Sequence, residues 1–180
     1  MTRHPTGVIH GRFQVFHNDH LRYVLAGAAR CDHLYVGITN PDPSFVRDEP
    51  TNPERSRPAN NPLTYYERYR MVTAALTDEG LGPADFSVVP LPINRPELFQ
   101  HYVPLNAVFF LTIYDSWGER KLALFQEMGL TIEVMWRRPA AEKGITGSQV
   151  RRLIREGGDW ESLVPPAVAA IIREINLAGR

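Results

Sequence analysis

The feature that most constrains this chain is a regular alternation. Short runs rich in Val, Ile, Phe and Tyr are each followed by a segment with the period of an amphipathic helix. Residues 7–13, 33–39, 86–91, 107–113 and 131–135 read as strands, while residues 18–30, 64–77 and 116–128 read as helices. This is the pattern of an α/β fold, in which helices cross over between parallel strands. Ala107-Val108-Phe109-Phe110-Leu111 is apolar at consecutive positions, which fits a central strand covered on both faces. The expectation is a Rossmann-like open parallel five-stranded sheet with helices on both faces. Thr64-Tyr65-Tyr66-Glu67 spells a capping box for the second helix, and a short helical stretch is expected near Glu97. Beyond the fifth strand the character changes. Residues 147–156 and 165–176 read as two C-terminal helices, joined by Gly157-Gly158-Asp159-Trp160 with Asp159 as a cap. They should pack beside the sheet, with Trp160 in the core.

A chain of 180 residues suits a single domain, residues 1–180, with residues 147–180 as its C-terminal helical part. Residues 40–61 form a proline-rich and charged loop insertion, long enough to serve as an interface or a substrate lid. The net charge is zero, so neither nucleic acid nor an anionic membrane is expected as partner. Cys31 is the only cysteine, which leaves no disulfide framework. The first residues are polar and no apolar run approaches bilayer length, so a cytoplasmic protein is expected. Homo-oligomerisation is left open.

Two motifs carry chemistry. Gly11-Arg12-Phe13-Gln14-Val15-Phe16-His17-Asn18-Asp19-His20 spans the end of the first strand and the start of the first helix. Open α/β sheets bind ligands at such junctions, beyond the carboxyl ends of the strands. His17 and His20, three apart on a helix start, share a face beside the positive end of the helix dipole, where imidazoles can donate to phosphate oxygens. The second motif, Ile145-Thr146-Gly147-Ser148-Gln149-Val150-Arg151, opens a late helix. Thr146 or Ser148 can cap it, Gly147 permits close backbone approach, and Arg151 can fork onto phosphate oxygens. Two phosphate cradles on one chain suit a triphosphate held along its length.

Gly-Arg-Phe-Gln-x-Phe-His-x-x-His, followed by Thr-Gly-Ser-x-x-Arg, resembles the H-x-G-H nucleotidyltransferase superfamily, and within it archaeal-type nicotinamide mononucleotide adenylyltransferase. The resemblance implies an enzyme of NAD biosynthesis that transfers the nucleoside monophosphate of a triphosphate, ATP first, to an acceptor such as nicotinamide mononucleotide, releasing pyrophosphate. Mg2+ would arrive with the triphosphate, and no metal held by the protein is implied. His17, His20 and Arg12 would be the catalytic residues. Gly11, Phe13, Gln14, Thr146, Gly147, Ser148 and Arg151 would bind the nucleotide phosphates.

The chain departs from that pattern in ways that bear on substrate. Asp19 stands where the family has glycine, and Val15 where it has proline. Asn60 or Asn61 replaces an acceptor-binding arginine, for which Arg47, Arg55 or Arg57 would substitute. Tyr114-Asp115-Ser116-Trp117 replaces a Ser-Gly-Asn-Pro segment near the base, making Trp117 a base-stacking candidate. Phe99 stands where the family stacks a tryptophan on nicotinamide, and Asp19 is a candidate for substrate selection. These departures favour an alternative: cytidylyl or adenylyl transfer to a different phosphate or phosphonate in a specialised pathway. A nucleotide-binding regulatory protein without turnover is the third reading. Asp19 also suits plain complementation of the helix dipole, while Glu67, Arg68 and Arg70 suit the capping box and surface ion pairs.

Overall fold

The computed structural model describes residues 3–45 and 57–179. Its strands are β1 (His4–Gly11), β2 (Cys31–Ile38), β3 (Phe86–Pro90), β4 (Val108–Ile113) and β5 (Thr131–Arg137). They form one parallel sheet in the order β3-β2-β1-β4-β5. The helices are α1 (Asn18–Ala28), α2 (Tyr65–Asp78), α3 (Ser116–Glu127), α4 (Gly147–Glu156) and α5 (Pro166–Glu174). The α/β reading of the sequence holds element by element. Among the described residues, no helix is long and apolar enough to cross a membrane.

The central strands are apolar at consecutive positions because each face has its own core. Val8 and Phe109 point to one side, where Leu91, Phe99 and Phe125 pack. Ile9 and Phe110 point to the other, against Val24, Met71, Val150 and Ile172 of the helices. Phe109 and Phe110 are both fully buried, and each contributes about 2 kcal/mol or more through removal from water. Helices α4 and α5 pack on the second of these cores and leave the sheet at five strands, as the change of pattern after residue 137 implies.

Several boundaries differ from expectation. β1 stops at Gly11, because Phe13 takes a left-handed conformation (φ 51°) that folds its ring into the core. β5 continues to Arg137, past a register shift opposite Leu111 and Thr112. Near Glu97 the chain makes a tight turn of 3-10 helix, Pro96–His101. Trp160 is half-buried at the margin of the larger core instead of inside it. Asp159 bonds the hydroxyl of Ser162 at 2.9 Å and so serves the Glu161–Leu163 turn, while Pro165 stands at the start of α5.

Candidate functional site

The strand order reverses between β1 and β4, so the helices that follow them, α1 and α3, leave from opposite faces of the sheet. In open α/β sheets the crevice at such a reversal, beyond the carboxyl ends of the strands, is the usual ligand position. The first motif begins at this point, where β1 ends at Gly11 and the chain leads into α1.

His17 is the N-cap of α1, in an extended conformation (φ −128°, ψ 173°). Its Nδ1 accepts the backbone N–H of His20 at 3.3 Å, while His20 Nδ1 accepts the backbone N–H of His17 at 3.4 Å. This is a capping box built from two imidazoles. It stacks the rings with centroids 3.5 Å apart and planes 17° apart. Because both Nδ1 atoms accept, each neutral ring carries its proton on Nε2, the nitrogen left to donate; that of His20 meets the Val15 carbonyl. Burial holds the His17 imidazole down to about 4; the Asp19 carboxylate opposes this and the Lys143 ammonium adds to it. His20 lies well below its ordinary value, through burial first and then the charges of His17, Arg12 and Lys143, against a bond to the Val15 carbonyl. Both imidazoles are therefore neutral at pH 7.

The second motif is in direct contact with the first. Thr146 caps α4, its Oγ1 accepting from the Gln149 N–H at 3.2 Å. At Gly147 any β-carbon would lie 2.3 Å from the carbonyl oxygen of Gln14, so only glycine lets the two segments abut. Arg151, buried, donates to that same carbonyl, to Asn60 Oδ1 at 2.8 Å and to Ser148 Oγ at 3.1 Å. Burial lowers its basicity, helped by Arg155. Asp19, in the first turn of α1, accepts the backbone N–H of Ile145 at 2.6 Å and pairs with Arg22 at 3.0 Å.

Some expected site residues are placed otherwise. The Phe13 ring is buried edge-on to His20, with centroids 5.0 Å apart. The Gln14 amide is occupied by the backbone of Leu63, giving and accepting at 2.9 Å. Both side chains shape the turn and leave only their backbone to face a phosphate. Arg151 braces the first motif from behind where an open fork was expected. Phe99 is fully buried, edge-on to Phe125 at 5.9 Å, and offers no face to a ring. Trp117 is half-buried on the second core beneath Arg120, 5.4 Å from its centroid. Arg57 is exposed ahead of the Pro58–Asn60 turn, whereas Arg47 and Arg55 lie outside the described residues.

Arg68 overturns its reading as a surface ion-pair residue. It is 1% exposed and donates to the carbonyls of Thr64, Arg12, Thr39, Asn40 and Pro41 at 2.8–3.4 Å. It thereby holds Arg12 and the exit of β2 in place. Burial lowers its guanidinium to about 10. The signal was present: residue 68 shares the helical stripe of Met71, Val72, Ala75 and Leu76. Arg70 pairs with Glu174 at 2.6 Å and Glu67 closes the capping box, as expected.

Three further groups escaped the sequence reading. Buried His10 meets Lys121 at 3.5 Å between β1 and α3. Asp115 caps α3 through the Gly118 N–H at 3.0 Å. Lys143 pairs with that same Asp115 at 3.5 Å.

Known proteins resemble this chain in sequence and in fold. The cytidylyltransferase-like family model matches residues 8–153. Phosphonoformate cytidylyltransferase of Streptomyces viridochromogenes is 53% identical over 97% of this chain and 94% of its own. Nicotinamide-nucleotide adenylyltransferase of Methanothrix thermoacetophila is 32% identical over 92% of this chain and 88% of its own. A putative nicotinate-nucleotide adenylyltransferase from Vibrio parahaemolyticus shares the fold, with TM-score 0.63, 16% identity and coverage of 99% and 96%.

Proposed function

Because this chain belongs to the cytidylyltransferase-like family of nucleotidyltransferases, we propose that it moves a cytidylyl group from CTP onto a small phosphonate of the phosphonoformate class. The observation that carries this reading is the 53% identity, along nearly the whole chain, to a phosphonoformate cytidylyltransferase. Identity to the nicotinamide-nucleotide relative is 32%, so the phosphonate acceptor takes precedence over nicotinamide mononucleotide. The burial of Phe99 supports the same choice. A flat aromatic acceptor would want an open ring to stack on, and a small phosphonate needs only cations and N–H donors.

In the proposed reaction an ionised phosphonate oxygen attacks the α-phosphorus of CTP in line. A P–O–P bond forms as the bond to the β-phosphate breaks, and the electron pair leaves on pyrophosphate. No proton has to be removed from the acceptor, so the protein's work is positioning and charge stabilisation. His17 and His20 donate through Nε2–H to oxygens whose charge grows in the transition state, His20 exchanging its bond to the Val15 carbonyl for the stronger one to an anion. Arg12, whose backbone carbonyl Arg68 holds, would meet the reacting phosphates. The Thr146 and Ser148 hydroxyls and the start of α4 receive the β- and γ-phosphates. With Mg2+ arriving on the triphosphate, the ion would supply neutralisation of its charge. The site's donors are imidazole, guanidinium, hydroxyl and N–H, and its carboxylates are engaged, Asp19 by Ile145 and Arg22 and Asp115 by Gly118 and Lys143. That set fits a cation chelated by the triphosphate's own oxygens.

The test is pyrophosphate release with CTP or ATP, each against phosphonoformate and nicotinamide mononucleotide. Turnover confined to CTP with phosphonoformate supports the reading; turnover confined to ATP with nicotinamide mononucleotide removes it.

A further inference from the structure

Lys143 lies in the segment between β5 and α4, immediately before the residues that dock on α1. Gly144 is pressed so close to Asp19 that a β-carbon there would fall 2.3 Å from Oδ2, and Ile145 is bonded to the same oxygen. The segment is thus pinned to the helix start that carries His17 and His20. From that anchor Lys143 reaches to Asp115, the cap of α3, with Nζ 3.5 Å from Oδ2. Its ammonium therefore spans from the α1 side of the crevice to the α3 side, over the point where the strand order reverses. Its charge depresses both imidazoles, which places it near the pair and not merely near Asp115.

The two partners are 45% and 35% exposed, so the ion pair is partly solvated and is worth little by itself. A polyphosphate in the same crevice offers several anionic oxygens in place of one carboxylate. Exchange of one for the other costs little and gains charge-assisted hydrogen bonds. We propose that Lys143 is a triphosphate-binding residue which Asp115 holds between α1 and α3 and yields when a nucleoside triphosphate enters. The carboxylate is a competitor for the phosphates, and its displacement opens the route between α1 and α3. The proposal rests on the nucleotidyltransferase reading, since it takes the crevice to be the triphosphate's place.

The experiment is calorimetric binding of Mg-CTP and of pyrophosphate to the whole chain and three variants. Lys143→Met should weaken both ligands about tenfold, and Lys143→Arg should restore most of that loss. Asp115→Asn keeps the helix cap, since asparagine caps as well as aspartate, and removes the competing charge. It should tighten binding about threefold. The double variant Asp115→Asn/Lys143→Met should bind no more tightly than Lys143→Met alone, because the gain works through the freed ammonium. Unchanged binding in Lys143→Met overturns the proposal. So does a threefold gain that persists in the double variant, which would assign the effect to the Asp115 charge alone. If the unaltered chain binds neither ligand, the nucleotidyltransferase reading itself fails, a result distinct from either of these.

Discussion

The Asp19 carboxylate accepts the Ile145 N–H at 2.6 Å, which ties the helix start carrying both histidines to the residue before Thr146. The two residues lie 126 positions apart in sequence, and their bond joins the two motifs into one unit. Asp19 therefore has a structural duty that a glycine at its position would lack. Asp19→Ala should raise the KM for CTP about tenfold, the scale of one lost charged hydrogen bond, with kcat less affected. Gly144→Ala should do the same by forcing the carboxylate aside. Steady-state kinetics in CTP checks both, and unchanged KM values would deny the coupling. Asp19→Gly is expected to gain no activity on nicotinamide mononucleotide.

His20→Ala should lower kcat on the order of a hundredfold while KM for CTP moves within about threefold, since the donation is strongest in the transition state. The variant also loses half of the capping box, at about 1 kcal/mol of stability. Circular dichroism separates the two effects. Equal losses in kcat and in CTP affinity would assign His20 to ground-state binding.

Arg68→Met should destabilise the fold by about 3 kcal/mol or more, because it strands several carbonyls that the guanidinium now satisfies. Denaturant unfolding measures this. A change below about 1 kcal/mol would mean that water takes over its bonds.

Stability should fall in mild acid. His17 titrates near 6.5 when unfolded and is held to about 4 when folded, so the unfolded state binds more protons between those values. The contribution of neutral His17 is complete above pH 6.5 and is lost as pH falls towards 4, a change on the order of 3 kcal/mol. His20 moves in the same direction. The pH dependence of unfolding should flatten in this window in His17→Asn. An identical profile for that variant would contradict the burial of a neutral ring.

Much of this was legible because it follows from local rules. The consecutive apolar run of β4 announces a strand covered on both faces, and Thr64 with Glu67 announces the start of α2. The histidine pair was legible as a shared helical face, although the reciprocal use of Nδ1 was not. What the sequence hides is long-range satisfaction. Gln14 is spent on Leu63, Arg151 on Gln14 and Asn60, and Arg68 on five carbonyls, each determined by the packing of distant segments. A charged residue read alone looks like a ligand or a surface group. Arg68 could have been found from its place on the buried stripe of α2, and Phe99 from the apolar residues facing α3. Lys143 and Asp115 carry no sequence signal that would bring them together.

The most direct test is a single mixture of CTP, ATP, phosphonoformate and nicotinamide mononucleotide with Mg2+, with products identified by mass. The account predicts the cytidylyl adduct of phosphonoformate as the dominant product, formed in step with pyrophosphate. A dinucleotide of adenosine and nicotinamide, with no cytidylyl product, would contradict it and return the chain to the acceptor of its more distant relatives.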